Sequence, residues 1–341
     1  MKVLIVDDSS VVRELLRHII EAAGMTVVGE AENGHQAVEM AMLFHPNVIT
    51  MDIDMPEMDG CEASCLIMEN QPIPIVVVTA SYSYHDTALA MKVLEAGAIT
   101  VLQKPQGPGH PNFEKDAAAL ISTIRVISDI KLIRRTPRQP LIKATPNLLS
   151  RQKPEIIVIG ASTGGPVALK LLLMHLTPPV PVPILVVQHI SQGFLSSFCE
   201  WLANTTGFPV QIGEFGRLAE PGHVYLAPDN CHMEIDSDGH IRLSNGPPLR
   251  HNRPSIGHLF ESVAKHFKHR TVAVLLSGMG QDGAQEMSQL HSIGALTLAQ
   301  DEATAVVNGM PGEAVRLGAV SQVAPPQKLA EIINRVFASC R

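Results

Sequence analysis

Two α/β domains in series, each a parallel sheet wrapped by helices, are predicted from this 341-residue chain. Three observations carry the prediction. Short apolar runs alternate with amphipathic stretches of helical period in both halves of the chain. The runs are continuously apolar, as expected of strands in a parallel sheet covered on both faces. The alternation breaks once, at a basic, proline-spaced segment over 131–154.

In the first domain, read as 1–130, strands are expected over 3–6, 26–28, 48–51, 75–78 and 99–102, with helical stretches between them. A last helix is expected over about 111–134, because Ala117, Leu120, Ile121, Ile124 and Ile127 recur at helical spacing. The linker, read as 131–154, spaces Lys131, Arg134, Arg135, Arg138, Lys143, Arg151 and Lys153 with Pro137, Pro140, Pro146 and Pro154. Such a segment serves as a solvated spacer or as an arm that docks an acidic partner, the first domain included. In the second domain, read as 155–341, strands are expected over 156–159, 184–187 and 272–276, with helices near 166–176, 194–204, 255–268 and 283–292. Residues 209–244 alternate apolar and polar side chains around Asp238-Gly239, which predicts an antiparallel hairpin insertion containing 224–226, 232–236 and 240–243.

Composition excludes several classes. The three segments carry −11, +7 and −3, and the chain has only thirteen aromatic residues. With no basic recognition helix either, nucleic-acid binding is not expected. No apolar run approaches the ~20 residues of a membrane-spanning helix, and no signal sequence follows Met1-Lys2, so a cytoplasmic protein without membrane insertion is expected. Cys61, Cys65, Cys199, Cys231 and Cys340 lack zinc-type pairing and read as reduced, structural thiols.

Ligands of a doubly wound parallel sheet bind beyond the carboxyl ends of its strands. Asp7 and Asp8 follow the first strand, Asp52 ends the third, Thr79 the fourth, and Lys104 follows the fifth. Clustered carboxylates repel one another unless a cation neutralises them, and hard oxygen donors suit Mg²⁺. A metal-bound carboxylate facing a lysine and a hydroxyl is equipped for phosphoryl transfer, with Asp52 as acceptor. The plainer alternative is that these carboxylates cap helices. The segment resembles the receiver domain of bacterial response regulators, a (βα)5 flavodoxin-like fold, through Val6-Asp7-Asp8-Ser9, Met51-Asp52-Ile53-Asp54-Met55-Pro56-Glu57-Met58-Asp59-Gly60, Val78-Thr79-Ala80 and Lys104-Pro105. The resemblance implies phosphorylation of Asp52 by a histidine kinase, with Asp8 and Asp52 ligating Mg²⁺ directly, Asp7 through water and Asp54 through its backbone carbonyl. It further implies that Thr79 and Lys104 hold the phosphoryl oxygens, and that Lys104-Pro105 is cis. Where such receivers often carry a switching aromatic, this chain has Val101.

In the second domain, Gly160-Ala161-Ser162-Thr163-Gly164-Gly165-Pro166 joins a strand to a helix. It fits no phosphate-binding glycine loop. A plain turn and a G-x-S-x-G nucleophile turn remain. Serine needs a base held by a third group. Of the ten histidines in this domain, His189 follows an apolar strand, and Asp282 follows another through Ser277-Gly278-Met279-Gly280-Gln281. Asp282 alone reads equally well as the cap of the helix that begins after it. The order Ser, His, Asp argues against an α/β-hydrolase, whose histidine comes last.

The whole chain resembles the chemotaxis methylesterase (CheB) family. The matching stretches are Gly160–Gly165, Gln188-His189, Tyr225-Leu226-Ala227-Pro228, Arg253-Pro254-Ser255-Ile256, 276–283 and Gly309-Met310-Pro311. The resemblance implies a receiver that restrains, and on phosphorylation releases, an esterase acting on glutamyl methyl esters of methyl-accepting chemotaxis receptors. In many members receptor glutamines are also deamidated. It implies Ser162 as nucleophile, His189 as base, Asp282 as orienter and the Met279 N–H as oxyanion donor. Esterase chemistry needs no cofactor in this scheme. Ile190-Ser191 and Gly312 depart from the family's usual Met-Pro and Arg. A receiver joined to a degenerate, binding-only second domain is the non-enzymatic alternative.

Overall fold

The structure, a computed structural model, describes residues 1–79, 91–94, 96–128 and 153–338. The chain divides into two compact units, Met1–Gln139 and Pro140–Arg341. All but the last two residues of the expected linker lie outside the described residues, as do most of the helix expected between the fourth and fifth strands and Cys340.

In the first unit the strands are β1 (Lys2–Val6), β2 (Thr26–Ala31), β3 (Val48–Met51), β4 (Ile75–Thr79) and β5 (Thr100–Gln103). All four pairings are parallel, in the order β2-β1-β3-β4-β5. Beta-branched residues fill β4 and the centre of β3, and both strands are buried throughout, which is the signature of a sheet covered on both faces. The helices are α1 (Ser10–Ala22), α2 (Gly34–Phe44), α3 (Gly60–Asn70) and α4 (Phe113–Ser128). Leu120, Ile124 and Ile127 of α4 are buried at the spacing that predicted it. Ser9, Asn33 and Asp59 cap α1 to α3 through their side chains, which leaves Asp7, Asp8 and Asp52 free of that duty.

The second unit is a seven-stranded sheet in which every pairing is parallel. Its strands are β6 (Ile156–Ala161), β7 (Ile184–Gln188), β8 (Val210–Ile212), β9 (Val224–Leu226), β12 (Thr271–Leu275), β13 (Leu296–Gln300) and β14 (Gln322–Ala324), and β10 (His232–Ile235) with β11 (Ile241–Ser244) forms a separate antiparallel hairpin. The order β14-β13-β12-β6-β7-β9-β8 reverses direction between β6 and β12, so their carboxyl ends flank the crevice of a doubly wound sheet. The helices are α5 (Gly165–Met174), α6 (Leu195–Thr206), α7 (Ile256–His266), α8 (Ala284–Ser292), α9 (Met310–Arg316) and α10 (Pro326–Ala338).

Three corrections follow. The insertion is smaller than expected: 232–236 and 240–243 do pair as a hairpin around Asp238-Gly239, but Val224–Leu226 belongs to the main sheet, parallel to β7 and β8. Its three residues are fully buried, a pattern that a short alternating run does not reveal. The sheet also continues through β13 and β14, beyond the last strand expected. The Lys104–Pro105 bond is not among the cis bonds of the described residues, which are Pro178–Pro179 and Arg253–Pro254; the isomers of such a bond differ by only about 1 kcal/mol, so surroundings decide.

No helix among the described residues is long and apolar enough to cross a membrane. Cys61, Cys65, Cys199 and Cys231 are free thiols.

The loop after β3 turns back so tightly that a Cβ on Gly60 would lie 2.0 Å from the Asp52 carbonyl oxygen. Gly60→Ala is therefore expected to destabilise the first unit by at least about 1–3 kcal/mol, read as a lowered urea midpoint.

Candidate active site

At the carboxyl rim of the first sheet, Lys104 Nζ donates to Asp52 Oδ2 at 2.7 Å and pairs as an ion with Asp7 Oδ2, also at 2.7 Å, without a well-aligned hydrogen bond to it. Asp52 is held from the other side by the Ile53 N–H at 2.8 Å, and Asp7 by the Ser9 N–H at 3.0 Å. Asp7, Asp52 and Thr79 are buried and Asp8 is exposed. Burial pushes the Asp52 carboxyl up to about 6 despite the lysine beside it, and burial raises Asp7 as well. The two carboxylates outweigh burial on Lys104 and keep its ammonium above its ordinary value. One lysine thus serves a cluster in which Asp7, Asp8 and Asp52 each offer an oxygen within 4.8 Å of the others. Under-neutralised hard oxygens of this kind fit a small divalent cation such as Mg²⁺. Thr79 joins the rim beside Lys104, whose N–H donates to the Thr79 carbonyl at 2.8 Å. Asp54 is exposed two residues beyond Asp52, and Val101 is buried in β5 opposite Val77.

In the second unit Ser162 leaves β6 and His189 leaves β7, neighbouring strands whose last paired residues are Ala161 and Gln188. The turn after Ser162 is closed by the Gly165 N–H donating to the Ser162 carbonyl at 2.8 Å. Gly164 has φ +75°, and a Cβ there would sit 2.5 Å from Val306, so only glycine fits this bend. β12 supplies the third side. The Ser162 N–H donates to the Ser277 carbonyl at 3.0 Å, while the Ser277 hydroxyl donates to the Thr163 carbonyl at 2.7 Å. That hydroxyl also accepts the Val307 N–H at 3.0 Å. The following Gly278 runs so close that a Cβ would meet Ser162 Cβ at 2.8 Å, and Met279 is the next residue of that loop. Among the described residues, the Met279 N–H has no protein acceptor.

Asp282 is 2% exposed. Its Oδ2 lies 3.1 Å from His189 Nε2, although that ring nitrogen is not aligned for a well-formed hydrogen bond. Its other partners come from the start of α7: the Ile256 N–H at 2.8 Å, the Gly257 N–H at 3.1 Å and the Ser255 hydroxyl at 2.8 Å. Ser255 is also the cap of α7, accepting the Gly257 N–H at 3.1 Å. Burial pushes the Asp282 carboxyl up, and the His189 ring together with these donors outweighs it, leaving the group below its ordinary value. The helix that begins after Asp282 has Gly283 as its cap, with no side-chain bond, so Asp282 serves α7 across the fold instead.

Ser162, His189 and Asp282 are therefore brought to one rim. The His–Asp contact is made; no hydrogen bond joins Ser162 Oγ to the ring among the described residues, the looser arrangement common before substrate binds. Sequence reasoning gave Ser255, Ser277 and Gln188 no role. A serine ahead of an amphipathic helix signals a cap, but nothing local shows that it also bonds a carboxylate 27 residues away.

Ser255→Ala is expected to cost about 1–3 kcal/mol in urea denaturation. A carboxylate depressed in the fold contributes stability above its unfolded value and loses it as pH falls through the folded one. Asp282 should therefore remain ionised below pH 3.8 in a carboxyl-carbon NMR titration, with Ser255→Ala moving its midpoint upward.

Residues 157–333 match the family described as CheB methylesterase, and residues 3–110 match the response regulator receiver domain. A protein-glutamate methylesterase/protein-glutamine glutaminase of Hahella chejuensis is 57% identical over 98% of both chains. One of Geobacter metallireducens is 44% identical, again over 98% of each. The crystal structure of the Thermotoga maritima CheB methylesterase catalytic domain covers 54% of this chain and all of its own, with 32% identity and a TM-score of 0.53. With its serine-centred crevice preceded by an acidic-rimmed five-stranded sheet, the chain belongs to the CheB methylesterase family and carries a response regulator receiver domain.

Proposed function

We propose that this protein is a phosphorylation-regulated protein-glutamate methylesterase that hydrolyses glutamyl methyl esters of chemoreceptors. The observation that supports the reading is that Ser162 and His189 follow the ends of neighbouring strands β6 and β7 beside the reversal of the seven-stranded sheet, with His189 Nε2 3.1 Å from the buried Asp282 carboxylate. Because Nε2 faces Asp282, Nδ1 is the nitrogen left to act on the serine.

Ser162 Oγ attacks the ester carbonyl as His189 takes its proton; the C–O bond to methanol then breaks as His189 returns the proton to the leaving oxygen. Water, deprotonated by the same ring, cleaves the acyl-serine and releases glutamate. Asp282 holds the ring in orientation and stabilises its charged form. The Met279 N–H, lacking a protein acceptor among the described residues, meets the oxyanion. A donor of this kind is worth roughly 3–4 kcal/mol in the transition state. The same steps with ammonia leaving describe glutamine deamidation, which the relatives' names include.

In the receiver, Asp52 is the phosphoacceptor for a histidine kinase. Mg²⁺ would be held by Asp7, Asp8 and Asp52 with the Asp54 carbonyl, and would neutralise charge on the phosphoryl group. Lys104, already bonded to Asp52, and Thr79 take the phosphoryl oxygens. Phosphorylation raises esterase activity by favouring a domain arrangement that admits the receptor.

Ser162→Ala should lower methanol release from methylated receptor by at least about 10³-fold. It should also remove labelling by an organophosphonate, and a fully active variant would overturn the assignment. Acetyl phosphate with Mg²⁺ should accelerate methanol release by the wild type and leave Asp52→Asn unchanged; equal responses would refute the coupling.

A further inference from the structure

Gln188 closes β7 immediately before His189 and is 4% exposed. Its Nε2 donates to the Ser162 carbonyl at 2.8 Å and to the His189 carbonyl at 2.8 Å. One side-chain amide thus spends both of its hydrogens on the backbones of the two residues that must exchange a proton. The Ser162 carbonyl is filled by this bond and by the Gly165 N–H at 2.8 Å.

The orientation of the amide is forced. Reversing it would set Oε1 against two carbonyl oxygens at hydrogen-bond distance, acceptor against acceptor. Nor can the side chain swing aside, because it packs against the first turn of α5: a Cβ on Gly165 would lie 2.3 Å from Oε1 and 3.0 Å from Nε2. In that position Oε1 is buried and has no partner among the described residues. An unsatisfied buried acceptor is costly, so the site gives up part of its own stability to keep the two N–H bonds.

We propose that Gln188 is a positioning residue for the hydrolysis, a rigid brace that fixes the spacing of the Ser162 and His189 backbones. The proposal rests on the serine–histidine assignment above. Strand pairing aligns β6 and β7 only up to Ala161 and Gln188, and both residues of interest lie one step beyond, where the ladder ends. The His189 N–H still reaches the Ala161 carbonyl at 2.9 Å, but past that bond, among the described residues, the amide of Gln188 links the two chain ends. A displacement of about 1 Å at such a site costs on the order of 10² in rate.

The test uses the full chain with methylated receptor as substrate. Gln188→Met, which keeps the volume and removes both donors, should lower kcat by about 10- to 100-fold with KM within about twofold. A kcat within about twofold of wild type, or a rise in KM alone, overturns the proposal. Gln188→Glu separates positioning from general support. Its buried carboxyl carries no hydrogen at high pH and regains one O–H donor as it protonates. Its activity relative to wild type should therefore climb as pH falls from about 8 to about 5.5, and a flat ratio overturns the proposal even if Gln188→Met fails to fold. In the wild type, slow exchange of the Gln188 side-chain amide protons is expected, and free exchange would contradict the brace. Failure of the triad itself would show separately, as an active Ser162→Ala.

Discussion

The carboxylate of Asp282 is the constraint around which the second unit is arranged. An ionised carboxyl taken from water costs several kcal/mol unless its lone pairs are filled. Here α7 fills them with two backbone N–H groups and its capping hydroxyl, and the positive end of the helix dipole adds to the effect. The same donors that leave Asp282 below its ordinary value also fix its direction, so the remaining approach to Oδ2 is the one taken by His189. The helix, the aspartate and the imidazole form one unit.

The acidic rim of the first unit follows the opposite logic. Asp7 and Asp52 share one lysine, and burial leaves both carboxyls raised. α1 to α3 take their caps from Ser9, Asn33 and Asp59, so the acidic cluster is not consumed by helix ends. A carboxylate satisfied from within the fold suits an orienting role in the serine chemistry. One left short of positive charge suits cation binding and phosphoryl acceptance. Both sit where the theory of parallel sheets places ligands, beyond the strand ends.

Between the strand ends, small bonds set the fine geometry. Ser277 ties the serine turn to β12 and to the loop ending at Val307, and Gln188 ties it to the histidine. These side chains hold backbone at the point where the sheet's own hydrogen bonds have stopped. A reacting group placed just past a strand end inherits the strand's rigidity only through such links.

Much of this was determined by sequence. Continuous apolar strands with helical crossovers specify a covered parallel sheet, because each run can be buried only between helices. Polar residues directly after such strands must then gather at one rim, which is why Asp7, Asp52, Thr79 and Lys104, and in the second unit Ser162, His189 and Asp282, could be named in advance. The structure alone decided what depends on contacts remote in the chain. Val224–Leu226 reads locally as part of a hairpin and instead joins the main sheet, because its neighbours in space are β7 and β8. Asp282 reads locally as the cap of the helix after it and instead serves a helix that begins at Ile256, and Gln188 reads as the polar end of a strand and instead bonds two carbonyls. Local sequence encodes periodicity and burial. Which donor meets which acceptor across a crevice is set only once the sheet order has brought the strand ends together.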